Sequence, residues 1–398
     1  MRAAIIGASE ESLHTIKKAK ELGIEVVALD GNPSAAGLPV ADIPLVVNIA
    51  DEKATVDAVK DMNIDFTLTV PIGRYLTTTG YVNDILNLPG ISSEAANKCT
   101  DKYLFHSILN KAFLRNCNCY LLKGHADNSN LRDRISESTL NFPAILKPRF
   151  GSGSRGIYVV NNKGDIYDVL PKISGEEYVL EECIPGEEYG FDGAVTDGKM
   201  HLVLLRKKDN TPLPDRQAVC YYSVNPLSDV YNRISAYINK VVEKLELNEC
   251  LIHGDIIDSA KGPFAIEVSA RPSGHNLHNL FTPLCTGVDM AEEYIRHRLG
   301  LTAPFIPANT RSMMIHYFDL TGRVIQVPAE SSVAEICAVT GCKLIEWECN
   351  IKDGELLKPV HNGHELMCRG YYITQFDSFD DMEDKKKQLI SSIQAAFF

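Results

Sequence analysis

Short apolar runs alternate with amphipathic stretches from Arg2 to about Ser92, a rhythm that predicts βαβ units and a parallel sheet. Residues 3–6, 25–29 and 66–70 read as strands, and residues 11–22 and 52–62 repeat apolar positions at helical spacing. After the turn Leu88-Pro89-Gly90, one helix is predicted over 93–109, with Ser92 or Ser93 as its N-cap. A polar stretch at 124–137 precedes the strand 143–148, and strand-and-turn pattern returns over 177–195. A helix is expected at 230–245. The apolar runs 250–257 and 264–268, joined by Lys261-Gly262-Pro263, read as a hairpin. In the tail, 313–318, 324–327, 344–348 and 370–374 are strand-like, 333–339 is helical, and 379–397 forms an amphipathic closing helix. The expected fold class is α/β and α+β multidomain, divided at 1–97, 98–299 and 300–398.

Composition narrows the function without naming it. A chain of 398 residues with 45% hydrophobic content can bury more than one core. Its formal charge of −12 repels polyanions, so neither nucleic acid nor an anionic membrane is an expected partner. The 11 cysteines include no Cys-x-x-Cys and read as free thiols of a reducing compartment. The apolar stretch from Ala3 to Ala8 is too short for a signal-peptide core, and no window reaches the roughly 18 apolar residues of a membrane span. A cytoplasmic location is expected. The oligomeric state stays open, with a homodimer as the commonest closed assembly.

Several weak chemical signals follow one another along the chain. Gly7-Ala8-Ser9 lacks the rest of a dinucleotide fingerprint and reads as a turn. Arg74 leaves the carboxyl end of a strand, where open α/β sheets place ligands, and is a candidate for an anionic substrate group. The small-residue tip Gly151-Ser152-Gly153-Ser154-Arg155-Gly156 brings backbone N–H groups within reach of an anion, but no Gly-Lys-Ser/Thr follows, so it is not a Walker A loop. Lys147 ends an apolar strand just upstream, and Lys102 opens a helix; either ammonium suits a phosphate. The stretch from Leu180 through Glu181, Glu182, Ile184 and Glu188 could serve as a hinge reading an adenine edge and ribose hydroxyls. Asp255 and Glu267 lie on opposite arms of the expected hairpin, so pairing brings two hard oxygen ligands to one place, as Mg²⁺ requires. Arg271 follows Glu267 at i+4 and supplies a fixed positive charge. A zinc reading of His253, His275 and His278 is disfavoured, because His-x-x-His here has neither a nearby cysteine nor a helical His-Glu-x-x-His. His275 reads better as a substrate-pocket residue.

In that order and spacing, Asp101-Lys102, Lys147-Pro148, the loop 151–156, Glu181-Glu182, Glu187-Glu188, Asp255 and Glu267-Val268-Ser269-Ala270-Arg271 resemble the ATP-grasp superfamily, from the first strand to about Leu299. The tail is similar to the C-terminal lobe of its biotin-carboxylase-like and L-amino-acid-ligase branches. The resemblance implies an N-terminal Rossmann-like pre-ATP-grasp domain, a central ATP-grasp fold with a flexible lid at about 110–177, and a C-terminal mixed α+β lobe. It implies that Lys102, Lys147 and the loop residues Gly151, Ser152, Gly153, Ser154 and Gly156 hold ATP phosphates. Glu181, Glu182 and Ile184 would contact adenine, Glu188 ribose, and Asp255 and Glu267 Mg²⁺, with Mn²⁺ as an alternative. Ser269 stands where many members carry an Asn ligand. Arg271 is placed as the catalytic arginine, and Arg271, Ser273, Gly274, His275 and Arg74 as substrate residues. The implied activity phosphorylates a small carboxylate and couples the acyl phosphate to an amine. The rivals are a carboxylating or purine-pathway member, and a sensor that binds ATP without catalysis.

Overall fold

Four parallel strands open the chain in the order Ile43–Val46, Glu25–Asp30, Arg2–Ile6, Phe66–Leu68. The inner strands are buried along almost their whole length, as expected where helices cover both faces of a parallel sheet. The chain is seen in a computed structural model that describes residues 1–123, 139–151, 156–173, 175–212 and 216–398. Two elements of this domain differ from the sequence reading. The edge strand Ile43–Val46 is only half-buried and carries a proline, so its apolar run is weak. The helix Leu76–Leu86 contains three threonines and Gly80, and lacks a clear apolar period. Gly80 is needed there, since a Cβ would stand 2.6 Å from the backbone of Ser93.

The single helix predicted over 93–109 is two, Ser93–Thr100 and Lys102–Lys111. Asp101 separates them in an extended conformation, and its carboxylate accepts the N–H groups of Tyr103 and Leu104 at 3.0 and 3.1 Å. Ser92 caps the first helix as expected, accepting Ala95 N–H at 3.1 Å. The break matters for the site. Arg149 forks onto the same Asp101 at 2.8 and 2.5 Å, and Lys102 N–H donates to Arg149 O at 3.2 Å, so the start of the second helix is tied to the end of a strand.

That strand, Ala144–Pro148, belongs to an antiparallel sheet ordered Cys119–Lys123, Glu177–Glu182, Ala144–Pro148, Tyr158–Val160. A second sheet of eight strands runs Gly262–Ser269, Cys250–Ser259, Glu187–Thr196, Lys199–Asn210, Ala218–Ser223, Met313–Tyr317, Gly370–Phe376, Cys342–Cys349. Strands of the tail therefore extend the sheet that begins with the hairpin. The helix Asp229–Leu245 lays Ile234, Ile238, Val241 and Leu245 on one face of it. The first domain is fixed to the other side by Ile16 and Ala19, which share a core with Leu251, Tyr294 and Ile295. The expected strand 324–327 is absent, since Val324 N–H bonds to Glu355 O and Ile325 N–H to Phe397 O, a loop and a helix end rather than a ladder. Among the described residues no helix is long and apolar enough to cross a membrane.

Candidate functional site

A cavity of about 840 Å³ opens where the two antiparallel sheets face each other beside the loops of the first domain. Into it project Lys102, Lys147, Glu181, Glu188, Asp255 and Glu267. Gly151, Glu182, Ile184, Arg271, Ser273, Gly274 and His275 complete the predicted residues that line it.

The hairpin sets the acidic pair. Cys250–Ser259 and Gly262–Ser269 run antiparallel with Asp255 directly opposite Glu267, next to a register shift that re-aims the strand. Gly254 permits the approach, because a Cβ there would lie 2.5 Å from Glu267 O and 2.7 Å from the Phe191 ring. Burial opposes ionisation of Glu267, but Lys102 foremost, then His253, Lys147 and Arg271, hold its carboxyl below the ordinary range. Asp255 pairs with the Lys208 ammonium at 2.8 Å.

The cations are held from both sides. Lys102 Nζ donates to Gly151 O at 2.6 Å, and burial lowers its pKa against the pull of Glu267. Lys147, only 6% exposed, meets Glu181 Oε1 at 2.5 Å. Arg271 donates from Nη1 to Pro272 O at 2.9 Å, while its buried Nε finds no acceptor among the described residues, and desolvation pulls its pKa down. A half-buried arginine whose Nε has no acceptor among the described residues, with two facing carboxylates, fits an anionic phosphoryl group carried with a divalent cation.

Other expected residues are placed differently. The Glu181 side chain is not free for a ligand, for it also accepts from Arg115 at 2.5 Å and lies 2.7 Å from His106 Nε2. Glu182 accepts from Asn118 at 3.0 Å and from the Asn141 amide at 3.1 Å, bracing the strand end. Glu188 is held by Arg216 and by Asn210 Nδ2 at 2.9 Å. Arg74 is exposed, stacks over Phe150 at 4.7 Å and does not line the cavity. Ser269, opposite His253, and Gly156 lie outside the lining as well. Ser152, Gly153 and Ser154 fall outside the described residues. The three histidines of the zinc reading form no common cluster: His253 Nδ1 bonds to Arg271 O at 3.0 Å and His278 Nδ1 to Ser273 O.

Several lining residues, Glu11, Arg115, Arg206, Lys208, Asn210 and Arg216 among them, escaped the sequence reading. Arg206, Lys208 and Asn210 alternate along Lys199–Asn210, so a period of two on a strand carrying Arg-Lys-Lys could have marked them. Arg115 and Glu11 carried no local signal, because one is buried by packing and the other reaches the site from the first domain.

A family model described as an ATP-grasp domain matches residues 140–278. The chain is 26% identical over 334 residues to a formate-dependent phosphoribosylglycinamide formyltransferase of Prochlorococcus marinus, covering 78% of this chain and 80% of that one. It is 29% identical over 263 residues to D-alanine--D-alanine ligase A of Bacillus cereus, covering 62% of this chain and 83% of that one. Among solved structures, an L-amino acid ligase from Bacillus licheniformis superposes with a TM-score of 0.77 at 18% identity, over 98% of this chain and 97% of that one. An ADP complex of an N5-carboxyaminoimidazole ribonucleotide synthetase gives 0.73 at 18% identity, over 99% and 97%. At that identity the structural likeness establishes the fold.

Proposed function

We propose that this chain, which belongs to the ATP-grasp superfamily, is an ADP-forming carboxylate–amine ligase that uses ATP with Mg²⁺ and acts on a small carboxylic acid. The observation that carries the reading is the direct pairing of Asp255 with Glu267 in one cavity with Lys102, Lys147 and Arg271. In the reaction a substrate carboxylate oxygen attacks the γ-phosphorus and ADP leaves. An amine then attacks the acyl carbon, loses a proton, and expels inorganic phosphate.

The protein's own groups supply positioning and charge rather than a covalent nucleophile. Asp255 and Glu267 would hold Mg²⁺, which offsets phosphate charge when bound. Lys102 and Lys147 would neutralise phosphate oxygens, and Arg271 would steady the charge on the carboxyl group as it changes geometry. The hinge Glu181–Ile184 would read adenine through its backbone, and Glu188 would take ribose hydroxyls once Arg216 is displaced. Both antiparallel sheets line the cavity, and exclusion of water from it during turnover would favour amine capture over hydrolysis.

The test is ADP and phosphate release from Mg-ATP with carboxylate and amine supplied singly and together. Release only with both supports the reading, and AMP as product overturns it. Glu267→Gln should lower turnover by roughly 100-fold or more, as loss of a group acting on transition-state charge does. A protein that only senses nucleotide would keep its ATP response in that variant.

A further inference from the structure

We infer that the acid accepted by this site is an α-amino acid or a close, phosphate-free relative, its ammonium group received by Glu11 while its carboxylate faces Arg271. The inference rests on the ligase reading above.

Charge is divided within the cavity. Every lysine and arginine among its described lining residues lies between Lys102 and Arg271, on the two antiparallel sheets, the helix that Lys102 opens and the adjoining loops. The wall contributed by residues 7–75 carries two carboxylates, Glu11 and Asp30, and no lysine or arginine. Asp30 is committed to its own loop, since Oδ2 accepts Ala8 N–H and Oδ1 accepts Asn32 N–H, both at 2.8 Å.

Glu11 is different. It is half-buried, and one oxygen accepts His275 N–H at 2.8 Å, yet among the described residues it forms no ion pair. The backbone of 274–275 is drawn against it so closely that a Cβ on Gly274 would stand 2.7 Å from Oε2. His275, φ +60°, is locked behind this contact by Tyr317, which donates to its carbonyl, and by Gly363, where a Cβ would meet the imidazole at 2.6 Å. Burial keeps that imidazole neutral, so it gives Glu11 no counter-charge.

A carboxylate kept in a cavity wall without a cation calls for one from the ligand. Arg271 stands three positions from Gly274 and is near enough to feel the Glu11 charge. A negative receptor for ammonium and a positive receptor for carboxylate therefore sit side by side, the arrangement an amino-acid zwitterion complements. A phosphate on this wall would face Glu11 and, with no lysine or arginine among the described lining residues of 7–75, would compete with the carboxylate for Arg271.

The experiment traps the acyl phosphate with hydroxylamine, which leaves a hydroxamate and free phosphate and makes the natural amine unnecessary. The full chain with Mg-ATP is given a panel of α-amino acids, their 2-hydroxy and des-amino analogues, formate, and a phosphorylated amine with formate. We expect one or more amino acids to give hydroxamate with kcat/KM roughly tenfold or more above the matching analogue, the size of a charge-assisted contact. Glu11→Gln should shrink that ratio toward one while leaving KM for ATP near its original value. Preference for formate or a des-amino acid, or turnover that demands the phosphorylated amine, overturns the inference but leaves the ligase reading standing. ADP release indifferent to every member of the panel overturns both. The ratio in the unaltered protein decides the matter even where Glu11→Gln does not fold.

Discussion

Glu181 is 4% exposed, and its carboxylate gathers Lys147 and Arg115 at 2.5 Å and His106 at 2.7 Å. Burial alone would raise its pKa, but these neighbours, Lys147 foremost, hold it well below the carboxylate range. Stability from such a depressed group is present above its unfolded value and is lost as pH falls through its folded one. Glu181→Gln strands Arg115 and Lys147 in the interior, so urea unfolding should show a loss of about 3–5 kcal/mol. Adding Arg115→Met, which removes one stranded charge at the cost of the guanidinium's 4.2 Å contact with the Phe264 ring, should recover part of that loss. Additive losses in this cycle would mean the two side chains act separately. Glu181 also fixes where the Lys147 ammonium stands, so if Lys147 meets phosphate as proposed, Glu181→Ala should raise KM for ATP through a misplaced ammonium.

At the scale of elements, the hairpin decides how well Asp255 and Glu267, the proposed metal ligands, are aligned. Gly254 has no room for a methyl group between Glu267 O and Phe191, so Gly254→Ala must spread the strands or tilt the sheet. Overpacking of this kind costs about 1–3 kcal/mol, and because Asp255 is the next residue, turnover should fall further than the drop in melting temperature accounts for. Melting and ADP release measured on the same sample check this. Normal turnover in the variant would show that the Asp255–Glu267 spacing tolerates movement. The hairpin was legible in the sequence because two apolar runs flank a Gly-Pro turn, which fixes both the pairing and the facing of the two acids. The break at Asp101 was not, since helical periodicity continues across it and only the carboxylate's capping bonds end one helix and begin the next. Glu11 and Arg115 were invisible for another reason: their partners lie 264 and 66 positions away, and no local pattern encodes such contacts.

For the whole molecule, an excess of 12 negative charges coexists with a cavity lined, among the described residues, by seven lysines and arginines. Phosphate is attracted locally against a repulsive background, so Mg-ATP should stabilise the folded chain by mass action, about 2.7 kcal/mol at a hundredfold excess over Kd. A chelator should return the melting temperature to that of ATP alone. Acid should act on the molecule through its buried histidines. Burial foremost pushes His106, His253 and His278 each down to about 4, so the folded chain keeps them neutral. Unfolded, they titrate near 6.5. Between those values the unfolded state binds protons that the folded state refuses. Their contribution is therefore fully present above about 6.5 and lost as pH falls toward 4, at up to about 4 kcal/mol per pH unit for three protons. The three sit in separate places, His106 on the helix Lys102–Lys111, His253 on the hairpin and His278 beyond Arg271, so acid should loosen both sheets together. Urea unfolding at pH 7.5, 6 and 5 reads this directly. Stability that stays level across that range would mean the imidazoles take up protons without leaving the fold.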